Sequence, residues 1–359
     1  MSQVQTTQAI PAEVTFALNT PVAMTAFGVQ GDAHCKAFPQ GHEHQAFVQP
    51  RSSFYKFRTS IRMPVMNWLY SPNGDALALT GPTGSGKTSL IREIAAILNW
   101  PYMQANAHSR MEVPDLIGGL RLECDPATGD QRTVFSYGPL ALAMKHGYIF
   151  CLDEGDFLDP SVMSGLNAIL EGAPLVIPEN GGEIIRPHKY FRFVITCNTR
   201  GQGDDNGLYG GTLAQNLATW DRYRMVEVPY MSAEDELETV QHVLGGKAGD
   251  IIARMVEIAN KVRAQFVGNP SPTGETGNLT VTFSTRTLLR WARISGSYKR
   301  ANVEGCAMAL ALRESLTNRA PIDQRIAIHT IAQTVFGPEL WKGDEVLAAA
   351  KVDGATAGA

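Results

Sequence analysis

Gly81-Pro82-Thr83-Gly84-Ser85-Gly86-Lys87-Thr88 fills every fixed position of the phosphate-binding loop GxxxxGK[ST]. Glycines let successive backbone N–H groups turn toward one anionic centre, and the positive end of the helix that follows adds to the same field. The natural ligand is a nucleoside triphosphate. Lys87 would reach its β- and γ-phosphates as a point charge, while the Thr88 hydroxyl would ligate the Mg²⁺ that holds the same two phosphates. A second constellation, Tyr148-Ile149-Phe150-Cys151-Leu152-Asp153-Glu154, is a hydrophobic strand delivering two adjacent carboxylates at its end. Asp153 would hold Mg²⁺ directly or through water, and Glu154 would orient and deprotonate the water that attacks the γ-phosphorus. Asn198 ends a third apolar run; if that strand lies beside the loop strand, its amide can both donate and accept between the γ-phosphate and that water. Plainer readings stand beside these: a glycine-rich turn without ligand, two carboxylates capping a helix, and an asparagine in a turn after a strand.

Such groups need the C-terminal ends of parallel strands, where open α/β sheets bind their ligands. Strand-like runs at residues 76–80, 102–105, 148–152, 191–196 and 225–228 alternate with helical or irregular segments. That alternation predicts a doubly wound, largely parallel sheet with helices on both faces. Leu90, Ile91, Ile94, Ala95 and Leu98 repeat at helical spacing behind the loop. Two hairpins interrupt the pattern: residues 120–123 with 133–137 around Asp125-Pro126-Ala127-Thr128-Gly129-Asp130, and 174–178 with 183–186 around Asn180-Gly181-Gly182. After Pro229 the signal turns helical, opening on Ser232 and Asp235 and continuing as an amphipathic stripe from Ile251 to Phe266. Further helices are expected at 286–297, 301–317 and 322–335. The division that results is an N-terminal extension, 1–49, partly disordered and loosest over residues 1 to about 20; a nucleotide-binding core, 50–230; a helical lid, 231–345; and a flexible tail, 346–359, frayed from Ala348 onward.

A chain of 359 residues with formal charge -4 and pI near 6 has no global basic field for gripping nucleic acid, although a local basic patch in a pore stays open. Five scattered cysteines, two of them (Cys151 and Cys197) inside apolar runs, fit a reducing compartment, with the cytoplasm the simplest assignment. The first basic residue is Lys36 and no apolar stretch approaches the length of a membrane span, so a soluble protein is expected.

The ordered set GPTGSGKT, the strand ending in Asp153-Glu154, the strand ending in Asn198, Asp221-Arg222-Tyr223 and Ser284-Thr285-Arg286 resembles the AAA+ ATPases of the MoxR group. The likeness spans about residues 50 to 300. It is closer to the CobS-like branch, on Leu98-Asn99-Trp100-Pro101, Asp115-Leu116-Ile117-Gly118, Ile185-Arg186-Pro187-His188 and Gly207-Leu208-Tyr209-Gly210-Gly211-Thr212. The resemblance implies an AAA+ P-loop core with two inserted β-hairpins and a C-terminal helical lid, using ATP and Mg²⁺. Gly81 to Thr88 matches Walker A, Asp153 and Glu154 match Walker B, and Asn198 matches sensor 1. Arg222 resembles the arginine finger that reaches into a neighbour's site, with Arg224 an alternative, and Arg286 resembles the sensor 2 arginine. It further implies a homo-oligomeric, hexameric ring whose inserts face the pore and whose partner is a protein with a von Willebrand A (VWA) domain, CobT-like. In the first insert, Arg121, Arg132, Phe135 and Tyr137 form a mix that could grip peptide or nucleic acid. Three roles follow: remodelling or activation of a partner protein, the ATPase of a cobaltochelatase inserting cobalt into a corrin ring, and a nucleic-acid-engaging motor of a defence or mobile-element system.

His34, Cys35, His42, Glu43 and His44 bring imidazole and thiol groups close together, either as a zinc or cobalt site or as a solvated loop. The spacing matches no standard structural-zinc pattern. Metal analysis of the purified protein separates the two: metal lost in His42→Ala and His44→Ala marks a site, and metal-free wild type removes it.

Overall fold

Every residue of Ala76–Thr80 is buried, which a strand achieves only where both faces of its sheet are covered. The computed structural model describes residues 15–124, 128–204, 209–246, 249–266 and 277–356. A short antiparallel hairpin, β1 (Thr20–Ala23) and β2 (His34–Ala37), precedes the helix Thr59–Tyr70. The central sheet opens with β3 (Ala76–Thr80) and β4 (Tyr102–Asn106). An antiparallel insert, β5 (Gly118–Cys124) and β6 (Gln131–Tyr137), comes before β7 (Ile149–Asp153). A second, β8 (Leu175–Ile177) and β9 (Glu183–Ile185), comes before β10 (Arg192–Cys197) and β11 (Tyr223–Glu227). The sheet is parallel throughout, in the order β11-β3-β10-β7-β4.

Because side chains alternate along a strand, each strand feeds two cores. Leu77, Leu79, Ile149, Cys151 and Val194 pack on one face with Leu90, Ile91 and Ile94 of the helix Lys87–Ile97. Ala78, Phe150, Leu152, Ile195 and Cys197 pack on the other with Leu140 and Met144. Burial pushes the Cys151 thiol up to about 12 and Cys197 well above its ordinary value, so both are inert packing groups. Helices Ala233–Val243, Gly249–Ala264, Thr285–Ala301, Ala307–Ser315 and Ile322–Phe336 build a third core around Phe283, Trp291 and Trp341. Among the described residues no helix is long and apolar enough to cross a membrane.

Four segments depart from expectation. Residues 15–49 are packed rather than a partly disordered extension: Phe27 and Phe38 are buried with Trp68 and Trp100. Single aromatic anchors of this kind leave no period in the sequence. The helix expected at 301–317 starts only at Ala307, because Asn302 adopts a left-handed conformation (φ 52°) and ends the preceding helix. The expected flexible tail instead continues as a helix, Glu345–Thr356, anchored by buried Val346 and Leu347. Residues 34–44 are neither a solvated loop nor a ligand cluster. His34 and Cys35 lie in β2, while His42, 2% exposed, bonds the Asn99 carbonyl through Nε2 (3.1 Å) and accepts the His44 N–H at Nδ1 (3.1 Å). His44 Nδ1 shares a hydrogen bond with the Tyr148 hydroxyl (3.0 Å), and the His146 ring lies 5.1 Å away. His188 joins the same aromatic patch beside Tyr190. Burial lowers the pKa of His42, His44, His146 and His188. Among the described residues no group of three or more His, Cys, Asp or Glu is placed to hold a metal ion. Most of the loosely ordered start (1–14), part of the first insert's turn (125–127), Gly207 and Leu208 of the resemblance, and the end of the frayed tail (357–359) lie outside the described residues.

The third core contains a buried ion pair. Arg263 donates to both oxygens of Glu236 (2.7 and 2.8 Å), to the Phe283 carbonyl (2.7 Å) and to Asn260 (2.9 Å), and lies over the Tyr230 ring. Removing one partner of such a pair strands the other charge, at a cost of about 3–5 kcal/mol. Glu236→Ala is therefore expected to lower stability by about that amount in urea unfolding. A loss below about 1 kcal/mol would mean that Asn260 and the Phe283 carbonyl suffice.

Candidate active site

The phosphate loop leaves β3 between β11 and β10, and it meets the lid most closely at Gly84. There φ is 70°, and a Cβ would lie 2.4 Å from the Ser284 Cβ, so only glycine lets the loop and the lid meet this closely; at Gly81 (φ 144°) a Cβ would come closer still, 2.3 Å from the Val228 carbonyl oxygen. Gly86 has open space but φ 95°, the left-handed turn from which the helix Lys87–Ile97 starts. Lys87 is 8% exposed; its ammonium donates to the carbonyls of Gly81 (2.7 Å) and Pro82 (3.1 Å) and to Asn198 Oδ1 (2.9 Å). Burial lowers its pKa to about 8, against the pull of Asp156 and the other acidic groups nearby. Such an ammonium can exchange neutral acceptors for phosphate oxygens at little cost in geometry.

Asp153, at the tip of β7, is the meeting point of the site. Its Oδ1 accepts from Thr88 Oγ1 (2.7 Å) and from Thr196 Oγ1 of β10, and its Oδ2 from Gln104 Nε2 of β4 (3.0 Å). For Mg²⁺, adjacent oxygens of an octahedral shell lie about 3 Å apart, so the Thr88–Asp153 oxygen pair fits the ion in both chemistry and spacing. Glu154 follows in a left-handed conformation (φ 56°), unusual for a residue with a side chain, and its N–H donates to Thr196 Oγ1 (3.1 Å). One threonine thus fixes both carboxylate residues. Asn198 is fixed from below by Asp156, fully buried, whose Oδ2 accepts the N–H groups of Asn198 (2.8 Å) and Thr199 (3.0 Å).

Beside the loop, a cleft of about 810 Å³ opens between core and lid, lined by Arg51, Tyr55, Glu93 and the loop on one side and Arg286 on the other. Arg290 and Arg293 line it too, four and seven residues after Arg286, so one face of the helix Thr285–Ala301 presents three arginines. Gly81, Pro82, Thr83, Gly84, Ser85, Gly86, Lys87, Thr88, Asp153, Glu154 and Asn198 are gathered at one end of the sheet, with Arg286 across the cleft. Arg222 is not among them. It precedes β11, whose first residue pairs with Ala76, and so lies a strand length, about 15 Å, from the loop. Thr196, Gln104, Asp156, Arg290 and Arg293 were not singled out in the sequence. Thr196 and Asp156 had a signal: a hydroxyl inside an apolar run, and a further carboxylate three residues beyond Asp153.

Thr196→Val keeps the shape of the side chain but removes the bonds to both Asp153 and Glu154. It is expected to lower kcat for nucleotide hydrolysis by about 10- to 100-fold, with Mg²⁺-free nucleotide binding within about threefold of wild type. An equal loss in both would mean that Thr196 only supports the fold.

Residues 76–209 match the family model of the AAA domain, dynein-related subfamily, and residues 236–335 that of the CbbQ/NirQ/NorQ C-terminal domain. The aerobic cobaltochelatase subunit CobS of a Sinorhizobium species is 29% identical over 319 residues, 88% of this chain and 90% of that one. An uncharacterized Staphylococcus epidermidis protein is 32% identical over 164 residues, 46% of this chain and 59% of that one. A solved Cytophaga hutchinsonii structure, assigned as an ATPase, covers 82% of this chain and 91% of its own at 16% identity, and its TM-score of 0.40 is too low to carry weight. With the loop, the paired carboxylates and the parallel sheet in place, the chain is an AAA+ ATPase that hydrolyses ATP, and it is similar along most of its length to the MoxR-like members of the CobS type.

Proposed function

We propose that this chain is a ring-forming motor that couples Mg-ATP hydrolysis to the remodelling or activation of a partner protein, with a VWA-domain, CobT-like protein as that partner. The loop of Gly81 to Gly86 cradles the phosphates, and Lys87 carries charge to the β- and γ-phosphates. Thr88 and Asp153 hold Mg²⁺, which neutralises charge on those phosphates. Glu154 takes the proton of the attacking water, Asn198 orients that water, and Arg286 closes on the phosphates from the lid. Arg222 completes the neighbouring subunit's site, and the ring reading rests mainly on its position: it lies at the opposite end of the sheet from its own loop, too far to serve it.

The inserts favour protein over nucleic acid as the substrate. Arg132 pairs with Glu123 (3.4 Å), Tyr137 bonds Glu183 (2.5 Å), and the Phe135 and Tyr137 rings pack on each other and on the core. The large apolar side chains left exposed are aliphatic: Leu120 and Leu122 on the first insert, Val176 and Ile184 on the second. The cobaltochelatase reading draws support from the likeness to CobS along most of both chains.

The motor is tested by ATP hydrolysis per subunit against protein concentration. A specific rate that rises, saturates, and falls by about 10³-fold or more in Arg222→Ala is expected; a concentration-independent rate insensitive to Arg222 would mean a self-contained site. Deleting the gene and measuring metallated corrin separates the two roles, since normal metallation removes the chelatase reading.

A further inference from the structure

The arginine assigned to the neighbour's site is already engaged within its own subunit. Of the five N–H donors of Arg222, three are used: Nε donates to Glu171 Oε1 at 2.8 Å, Nη2 to the same oxygen, and Nη1 to the Ala218 carbonyl. One N–H remains on each terminal nitrogen, the number that a contact to two phosphate oxygens uses. Glu171 caps the short helix Asn167–Leu170 and is itself more than half exposed, so the ion pair adds little to stability. Its effect is directional: an arginine gripped along its Nε edge has far fewer ways to aim its remaining donors than one free on the surface. Arg224 contrasts with it. Its guanidinium is spread over Asn67, Ser71, Pro72 and Asp75, tying β11 to the helix Thr59–Tyr70 and the turn that follows, which is the work of a structural anchor.

We propose that Glu171 is a positioning residue for hydrolysis in the neighbouring subunit: it holds Arg222 by its Nε edge so that the two remaining donors project toward the neighbour's γ-phosphate. This rests on the ring reading above. Loss of Glu171 leaves the nucleotide site of its own subunit intact and misaims the group that serves the next one. The defect therefore belongs to the interface, and an intact neighbour can repair it.

The test uses the full-length chain at concentrations where the hydrolysis rate has saturated. Glu171→Ala is expected to lower kcat by about 10- to 100-fold, with KM for ATP within about twofold and the assembly mass unchanged. Glu171→Gln, which keeps an acceptor oxygen, should retain most of the rate. Mixing Glu171→Ala with Lys87→Ala subunits should restore activity, because the latter have silent sites but intact Arg222–Glu171 pairs. A structural defect in the Glu171→Ala site itself would not recover in this way. Should the alanine variant fail to assemble, Glu171→Asp, whose shorter side chain draws the carboxylate back, is mixed in its place. A Glu171→Ala or Glu171→Asp rate equal to or above wild type, or a loss that mixing does not repair, would overturn the proposal. The two readings fail separately: an Arg222→Ala variant as active as wild type removes the ring reading, whereas an inactive Arg222→Ala repaired by Lys87→Ala subunits, beside a Glu171 variant that is not, removes only the role of Glu171.

Discussion

The Asp153 carboxylate receives hydrogen bonds from three separate elements: Thr88 on the helix after the phosphate loop, Thr196 on β10 and Gln104 on β4. A carboxylate bonded in this way cannot swing, and the tips of the strands around it cannot slide past one another without breaking a charge-assisted bond. Parallel pairing supplies the registry. Thr196 lies opposite Leu79 of β3, and Asn106 at the end of β4 lies opposite Asp153. The chemistry at the sheet's end is therefore set by the apolar packing along its length. The two cores on either face hold the strands, and the strands hold the oxygens.

A second chain of contacts runs from the loop into the lid. The Tyr230 hydroxyl donates to the Thr83 carbonyl (3.1 Å), its ring lies under Arg263, and Arg263 grips Glu236, which also accepts from Thr285 Oγ1 (2.7 Å). Thr285 opens the helix that carries Arg286, and its neighbour Ser284 abuts Gly84. Loop and lid thus meet twice, once by direct contact and once through a buried ion pair. Any shift of the loop is passed to the arginine face of the lid helix through groups with little freedom to absorb it.

What could be read in the sequence was whatever is local. The phosphate loop is a contiguous motif, and β3, β7 and β10 are short apolar runs whose polar tips stand out against them. The parallel sheet followed from their alternation with helices. Thr196 and Asp153 are 43 residues apart, and nothing short of knowing that β10 lies beside β7 brings them together. Gln104 needs the further step of placing β4 beyond β7. Arg290 and Arg293 were within reach, since their spacing from Arg286 places all three on one helical face. Residues 15–49 failed for a different reason. Their anchors are single aromatic and histidine side chains that meet partners from four distant segments, around residues 68, 100, 148 and 190, so no window of sequence carries a period.

Those histidines make the attachment of the N-terminal segment sensitive to acid. His42 and His44 come from that segment, while His146 and His188 come from the core against which it packs. Glu43 favours the charged forms of His42, His44 and His146, while Lys145 disfavours that of His146 and Lys189 that of His188. Burial outweighs Glu43, so the packed form binds fewer protons than the detached one. Linkage then fixes the sign. Above the ordinary histidine value near 6.5 the attachment is at full strength, and it weakens as pH falls through that value toward the lowered ones of the packed state. A segment without a catalytic group thereby links the fold around the far end of the sheet to the acidity of its surroundings.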